Sequence, residues 1–173
     1  MRQTLLAAAL GAALWPVAAG AAPGDTASAA ITGADGASHG TLTLTETPHG
    51  VLVTGTLSDL PPGPHGFHVH AVGVCEPPFT SAGGHFNPTD KAHGFHVEGG
   101  HHAGDIPNIT ALEDGTAAVE VLAPGLTLNN GETAALDDDG AALVVHAGPD
   151  DYRTDPAGAS GDRIACGVIS AGT

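Results

Sequence analysis

The sequence predicts an antiparallel all-β domain, either a sandwich or a barrel, interrupted by two long irregular loops. Three observations support this fold class. Short segments of alternating polar and apolar residues recur between turns rich in glycine and proline. No segment combines a capping residue with an apolar period of 3.6 residues, as an amphipathic helix would. Histidines concentrate where the alternating pattern stops, which indicates that the loops carry the function.

The predicted strands are short and follow one another closely. Thr41-Leu42-Thr43-Leu44-Thr45 shows the clearest alternation, and Pro48-His49-Gly50 forms a turn before the next apolar segment. The predicted strands are residues 41–45, 51–57, 65–70, 117–122, 141–146 and 164–170. Residues 22–28 are expected to be a disordered lead-in, and the two irregular loops span residues 73–110 and 147–161.

The first 21 residues resemble a secretory signal peptide. Arg2 supplies a positive charge, residues 5–19 are apolar, and Ala19-Gly20-Ala21 is a small-residue cleavage site. The alternative is a membrane anchor, but the apolar segment is short and rich in small residues for a span. We therefore expect cleavage near Ala22, a single mature domain over residues 22–173, and a location in the periplasm or outside the cell.

The charge balance excludes two classes of partner. Removal of Arg2 leaves three cations, Lys91, Arg153 and Arg163, against 19 acidic residues. Such a chain is repelled by nucleic acid and by anionic membrane surfaces. A small anionic substrate would have to be attracted locally, against the field of the whole protein.

Cys75 and Cys166 are the two cysteines of the chain. In an exported protein an even count favours one disulfide over the alternative of two buried thiols. A bridge that closes so long a loop stabilises the fold by roughly 4–5 kcal/mol in the chain-entropy model.

Two histidines of the segment 65–70 point to a metal site. His68 and His70 lie two residues apart, so both face one side of a strand, whereas Phe67 and Val69 face the other. Two imidazoles on one face can hold one metal ion. The alternative is a flexible histidine-rich metal scavenger, which would be polar and repetitive. Fixed spacings among glycines and prolines argue against it.

Seven motifs, in this order, resemble the copper/zinc superoxide dismutase family over nearly the whole mature chain. They are Gly66-Phe67-His68-Val69-His70, Gly84-His85-Phe86-Asn87-Pro88, His93-Gly94, His102-Ala103-Gly104-Asp105, Leu143-Val144-Val145-His146, Asp150-Asp151-Tyr152 and Arg163-Ile164-Ala165-Cys166-Gly167-Val168-Ile169. The resemblance implies an eight-stranded antiparallel Greek-key β-barrel or sandwich with two long functional loops. The position of Cys75 resembles that in bacterial exported members.

The resemblance also implies two adjacent metals, with His85 bridging them. Copper would be bound by His68, His70, His85 and His146. Zinc would be bound by His85, His93, His102 and Asp105. Imidazoles suit both oxidation states of copper. Three histidines and one carboxylate suit tetrahedral zinc in a structural role.

Two further residues acquire roles from the resemblance. Asp150 resembles the aspartate that binds the outer nitrogens of His68 and His93, which would fix both rings. The alternative is an exposed acid. Arg163 resembles the arginine at the mouth of the copper channel, where a guanidinium attracts a small anion. Its alternative is a surface arginine paired with Asp162.

The remaining histidines are not expected to bind the two metals. His96 and His101 lie close enough in sequence to compete for zinc, but the motifs favour His93 and His102, so both are expected at the surface. His39 and His49 lie in turn-like segments and are expected to be solvated. His65 has the parity of Phe67 and is expected to face away from the metals.

The implied reaction is the disproportionation of superoxide to dioxygen and hydrogen peroxide, with His85 and Arg163 as catalytic residues. One alternative is a copper-binding or copper-delivery module on the same fold. Another is a structural secreted sandwich with incidental histidines. The sequence leaves the oligomeric state open between a monomer and a homodimer.

Overall fold

The computed structural model describes residues 22–172, so the predicted signal peptide lies outside the described residues. This part of the chain forms nine strands and two short 3-10 helices, Thr80–Ala82 and Gly131–Thr133. The strands are β1 (Thr26–Gly33), β2 (Ser38–Thr47), β3 (Gly50–Leu57), β4 (Gly63–His65), β5 (Phe67–His70), β6 (Ile109–Ala111), β7 (Ala117–Ala123), β8 (Ala142–His146) and β9 (Arg163–Ala171). Neither helix in residues 22–172 has the length and apolar character needed to cross a bilayer.

Seven strands form one antiparallel sheet in the order β5-β8-β9-β1-β2-β3-β7, and β4 pairs with β6. β9 lies between β8 and β1, so strands distant in sequence become neighbours, as long Greek-key connections require. The predicted all-β class is confirmed. The predicted irregular loops are the connections from β5 to β6 and from β8 to β9.

The single strand predicted over residues 65–70 is divided at Gly66. β4, on one side of Gly66, pairs with β6, and β5, on the other side, pairs with β8. The N–H of Gly66 donates to the Gly148 carbonyl at 2.8 Å, and a Cβ at Gly66 would lie 2.7 Å from Ser160 Cβ. The chain therefore changes partner at a residue without a side chain, which accounts for nine strands in place of eight.

The core follows the alternation of the sequence. Leu42 and Leu44 of β2 and Val51 and Val53 of β3 are fully buried, whereas the residues between them, Thr43 and Leu52, are more accessible. One polar and one apolar face per strand is the pattern of a curled sheet closed around a core. Leu126 and Leu128, from the connection after β7, complete this core.

β8 is buried on both faces, which brings the first long loop against the sheet. Leu143 and Val145 face the main core, whereas Ala142 and Val144 pack with Phe79 in a second apolar cluster. The predicted disulfide between Cys75 and Cys166 is confirmed and joins this loop to β9. The loop is thus fixed beside the end of β8, where His146 lies.

The lead-in predicted for residues 22–28 is wrong from Thr26 onward. β1 begins there, and Ala27 is buried and pairs with both Leu44 and Ala171. Alanine and serine have weak strand propensity, so the segment carries little local signal. Its strand depends on pairing with two neighbours that are distant in sequence.

Candidate metal centre

β5 supplies the first two histidines, and the loop after it folds back onto the same strand. The N–H of Val69 donates to the Gly104 carbonyl at 2.9 Å. A Cβ at Gly104 would lie 2.3 Å from the Val69 oxygen, so only glycine allows this approach. Isolated bridges then form between His68 and Asp105 and between His70 and His85.

Three groups of side chains that could bind a metal result among residues 22–172, and the donor atoms within each lie within 4.8 Å of one another. The first group contains the four histidines expected to bind copper: His68, His70, His85 and His146. The second contains the four residues expected to bind zinc: His85, His93, His102 and Asp105. His85 belongs to both of these groups. The third group, His68, His93 and Asp150, joins the other two.

The spacing of the second group fits one tetrahedral ion. Asp105 Oδ1 lies 2.9 Å from His85 Nδ1, 3.0 Å from His93 Nδ1 and 3.2 Å from His102 Nδ1. His85 Nδ1 and His102 Nδ1 are 3.4 Å apart. Ligands bound at about 2.0–2.1 Å around a tetrahedral ion are separated by about 3.3 Å. The second group therefore fits zinc in both donor type and spacing.

Two buried ring nitrogens lack a hydrogen-bond partner among residues 22–172, Nδ1 of His68 and Nε2 of His85. Each ring is held by its other nitrogen. His68 Nε2 lies 2.9 Å from Asp150 Oδ2, and His85 Nδ1 lies in the second group. Buried polar atoms are normally paired, so these nitrogens fit donors to an ion in the first group. His70 Nε2 and His146 Nε2, 3.4 Å apart, supply two further imidazole donors, a set that suits copper.

Asp150 connects the two groups. Its Oδ2 contacts His68 Nε2, and its Oδ1 lies 3.0 Å from His93 Nε2. The side chain of Asn108 holds the Asp150 backbone, since Nδ2 donates to the Asp150 carbonyl and Oδ1 accepts from the Asp150 N–H, both at 2.9 Å. Such partners fix the orientation of ligand rings.

The guanidinium of Arg163 is held by backbone oxygens. One terminal nitrogen donates to the Phe79 carbonyl at 2.6 Å, and the other donates to the Gly83 carbonyl at 2.7 Å. His70 Nδ1 lies 3.0 Å from the same Gly83 oxygen, which connects Arg163 to the first group. Among the described residues Arg163 makes no ion pair with Asp162.

An open cavity of about 620 Å³ lies beside Arg163. Arg163 and Asp162 line it together with Pro78 and Thr80 of the first long loop. The cavity offers one positive and one negative charge to an entering molecule, and we expect the balance between them to affect the entry of an anion.

Burial keeps three rings of the first group neutral. It lowers the pKa of His70 to about 2, of His146 to about 3 and of His85 to about 4. A neutral imidazole has the free lone pair that a metal requires. These rings therefore need to lose no proton before they bind an ion at neutral pH.

Carboxylates dominate the zinc side. Burial alone would lower the pKa of His93, but its hydrogen bonds to Asp105 and Asp150 outweigh burial and raise it to about 9. Burial would raise the pKa of both carboxyls. Hydrogen bonds from the surrounding histidines nevertheless hold the pKa of both carboxyls well below the usual range. The largest lowering contribution comes from His102 for Asp105 and from His68 for Asp150. Both carboxyls are therefore ionised at neutral pH, and His93 must lose its proton when a divalent cation binds to the second group.

Comparison with known proteins identifies the family. The family model described as copper/zinc superoxide dismutase matches residues 38–169, which is most of the chain. The chain belongs to this family. It is 50% identical over 129 residues to Cu-Zn superoxide dismutase 1 of Aquifex aeolicus, covering 73% of this chain and 76% of the relative. It is 44% identical over 148 residues to Cu-Zn superoxide dismutase of Caulobacter vibrioides, covering 83% and 85%.

Solved structures of the family have the same fold. The Cu/Zn superoxide dismutase of Brucella abortus is 33% identical with a TM-score of 0.70, covering 84% of this chain and 100% of that one. A superoxide dismutase-like protein of Bacillus subtilis is 39% identical with a TM-score of 0.78, covering 82% and 96%.

The other histidines lie outside the two donor groups. His49 and His96 are exposed, and His101 is half-buried with Nδ1 2.7 Å from the His102 carbonyl. His39 was expected to be solvated, but it is half-buried with Nδ1 2.7 Å from the Ser58 carbonyl.

His65 has a role at the centre that sequence reasoning missed. It is buried, with Nδ1 2.7 Å from the His146 carbonyl and Nε2 2.7 Å from the Pro61 carbonyl. The ring of His65 thus holds the backbone of His146, one of the histidines of the first group. The signal was present, since a polar ring with the parity of Phe67 needs buried partners. Asn108 carried no comparable signal, because an asparagine before a strand is common.

Proposed function

We propose that this protein is a superoxide dismutase that converts superoxide to dioxygen and hydrogen peroxide at a copper/zinc centre. The observation that carries the proposal is buried His85, shared by two complete donor groups beside the fixed guanidinium of Arg163. Copper would be bound by His68, His70, His85 and His146. Zinc would be bound by His85, His93, His102 and Asp105.

When bound, copper supplies one-electron oxidation and reduction, so that two superoxide ions and two protons give one dioxygen and one hydrogen peroxide. Zinc has no redox chemistry, and when bound by these four residues it would hold the first long loop closed around the centre. The protein contributes donor geometry, a local positive charge and a proton.

Arg163 would attract and orient the anion. The chain has a formal charge of −15, so its overall field repels superoxide. A guanidinium offers several donors in a fixed plane, and the carbonyls of Phe79 and Gly83 hold this plane without neutralising its charge. Its remaining N–H groups would bind an anion that enters from the cavity beside Arg163.

His85 would supply a proton through Nε2, the nitrogen that faces the copper-side group. Nδ1 of this ring lies in the zinc-side group, so Nε2, which has no hydrogen-bond partner among residues 22–172, is the atom that would carry this proton. Donation to the reduced substrate would favour its release as hydrogen peroxide.

The test compares the mature protein, loaded with copper and zinc, with His85→Ala and with His96→Ala. His96 is an exposed histidine of the same loop and serves as the control. We expect about one copper and one zinc per chain in the wild type and in the control, with rapid superoxide consumption in both. His85→Ala should lose the shared ligand and most of the activity.

The same experiment tests the alternative of a copper-binding or copper-delivery module. One relative, 48% identical over 106 residues, is named a superoxide dismutase-like protein of Bacillus subtilis, so the family name alone does not decide activity. Stoichiometric copper without superoxide consumption would favour the module and contradict the role of Arg163.

We also propose that residues 1–21 are a cleaved signal peptide and that residues 22–173 form the mature domain in the periplasm or outside the cell. The charged and apolar segments of the N-terminus and the disulfide support export. Intact mass of the protein from the exported fraction tests this, with a start near Ala22 expected. An exported protein that still carries residues 1–21 would contradict the proposal. Size-exclusion chromatography of the same sample separates a monomer from a homodimer.

A further inference from the structure

Gly158 lies directly against the carboxylate that connects the two donor groups. It is buried and has φ +63°, a conformation that favours glycine. A Cβ at this position would lie 1.8 Å from Asp150 Oδ1, 2.4 Å from Asp150 Cγ and 2.8 Å from His93 Nε2. The contact between His93 and Asp150 therefore occupies the space that a side chain at residue 158 would need.

The backbone of Gly158 cannot simply move away. Its N–H donates to the Thr154 carbonyl at 2.6 Å, and its carbonyl accepts from the Asp151 N–H at 2.9 Å. Both hydrogen bonds lie within the loop that carries Asp150, so withdrawal of residue 158 would break the turn that presents the carboxylate. A side chain at residue 158 must consequently displace the Asp150 carboxylate or the ring of His93.

We propose that Gly158 is a positioning residue for the zinc site. Because it has no side chain, the second long loop closes onto Asp150, and Asp150 then holds His93 in the orientation that zinc requires. The inference rests on the proposed zinc ligands but not on the dismutation reaction, so zinc affinity tests it even if the protein consumes no superoxide.

The experiment measures the zinc dissociation constant of the copper-free, folded protein by competition with a chelator of known affinity. Gly158→Ala is compared with Gly161→Ala, a matched control in the same loop. Gly161 also has a positive φ, +76°, but its nearest neighbour would lie 3.9 Å from an added Cβ. Loss of an outer partner of a ligand histidine typically weakens metal affinity about 10- to 100-fold, so we expect this for Gly158→Ala. Gly161→Ala should change the affinity by less than about threefold, which separates steric displacement from backbone strain.

A spectroscopic readout distinguishes positioning from general destabilisation. Cobalt(II) bound in place of zinc has visible absorption that depends on the coordination geometry. The spectrum of Gly161→Ala should match that of the wild type, whereas Gly158→Ala should show a changed spectrum at saturating cobalt. Identical spectra and equal zinc affinities for the two variants would overturn the proposal.

A double variant tests whether the effect acts through Asp150. Asp150→Ala removes the atoms nearest to the new Cβ. The double variant should therefore bind zinc less than about threefold more weakly than Asp150→Ala alone. Such non-additivity is expected when two residues act through one contact. If Gly158→Ala alone does not fold, the double variant should still fold. Equal losses in both backgrounds, or failure of the double variant to fold, would contradict the proposal.

Discussion

Replacement of His65 by alanine should destabilise the protein and weaken copper binding, although His65 is not a ligand. The ring is 2% exposed and lies within hydrogen-bonding distance of the carbonyls of His146 and Pro61. A buried carbonyl left without its partner costs about 1–3 kcal/mol, and loss of the ring leaves a cavity. We therefore expect the free energy of unfolding to fall by about 2–4 kcal/mol. The His146 backbone would also lose its support, so the copper dissociation constant should rise.

Urea denaturation of the metal-free protein measures the first effect, and competition with a copper chelator measures the second. His39→Ala is the matched control, because His39 is half-buried and has one contact to a backbone carbonyl, at Ser58. It should lose no more than about 1 kcal/mol and bind copper as the wild type does. Equal losses in the two variants, with unchanged copper affinity in His65→Ala, would refute the reasoning.

Three other predictions follow from the fold and the centre. The double replacement of Cys75 and Cys166 by alanine should lower the free energy of unfolding by roughly 4–5 kcal/mol, because the bridge spans 91 positions. Equal urea midpoints for this variant and the wild type would contradict the prediction. Metal-free protein should lose stability as the pH falls from 7 to 5, by about 2 kcal/mol for each of His70, His146 and His85. Burial lowers their folded pKa from 6.5 to about 2, 3 and 4, so the unfolded chain binds more protons in this range. Denaturation midpoints across this pH range check the sign, and greater stability at pH 5 would be the opposite result. Asp162→Asn should raise kcat/KM for superoxide by up to about fivefold at low salt and by less at 0.1 M, since a charge at the cavity contributes at most about 1 kcal/mol in water. Glu120→Gln on β7 is the control. Equal rates in the two variants would exclude a role for Asp162.

The sequence predicted most of the fold because alternation is a local property. Leu42 and Leu44 between threonines predicted both a strand and its buried face, and the structure has both. Part of the strand at Thr26–Gly33 was missed. This strand depends on pairing with β2 and β9, and no local pattern in the sequence indicates that pairing. The division at Gly66 was missed for the same reason, since it reflects a change of partner.

The metal-binding side chains of the candidate site could be predicted from the sequence, but two of the residues that hold them in place could not. His68 and His70 lie on one face of a strand, and that is visible in the sequence. Asn108 contacts Asp150 across 42 positions, and Gly158 acts through the atoms it lacks. Neither property appears in composition, spacing or polarity, because each depends on how two loops meet in space.

The local field at the centre depends on how Arg163 is held. A guanidinium fixed by a carboxylate would be nearly neutral as a pair, and a chain with 19 acidic residues offers many such partners. Arg163 instead donates to the carbonyls of Phe79 and Gly83, which fix its position and leave its charge uncompensated. The disulfide and the second apolar cluster hold that segment of the loop against β8 and β9. The structural elements that order the loop therefore also preserve one positive charge beside the copper-side histidines, in a protein whose overall charge would repel an anion.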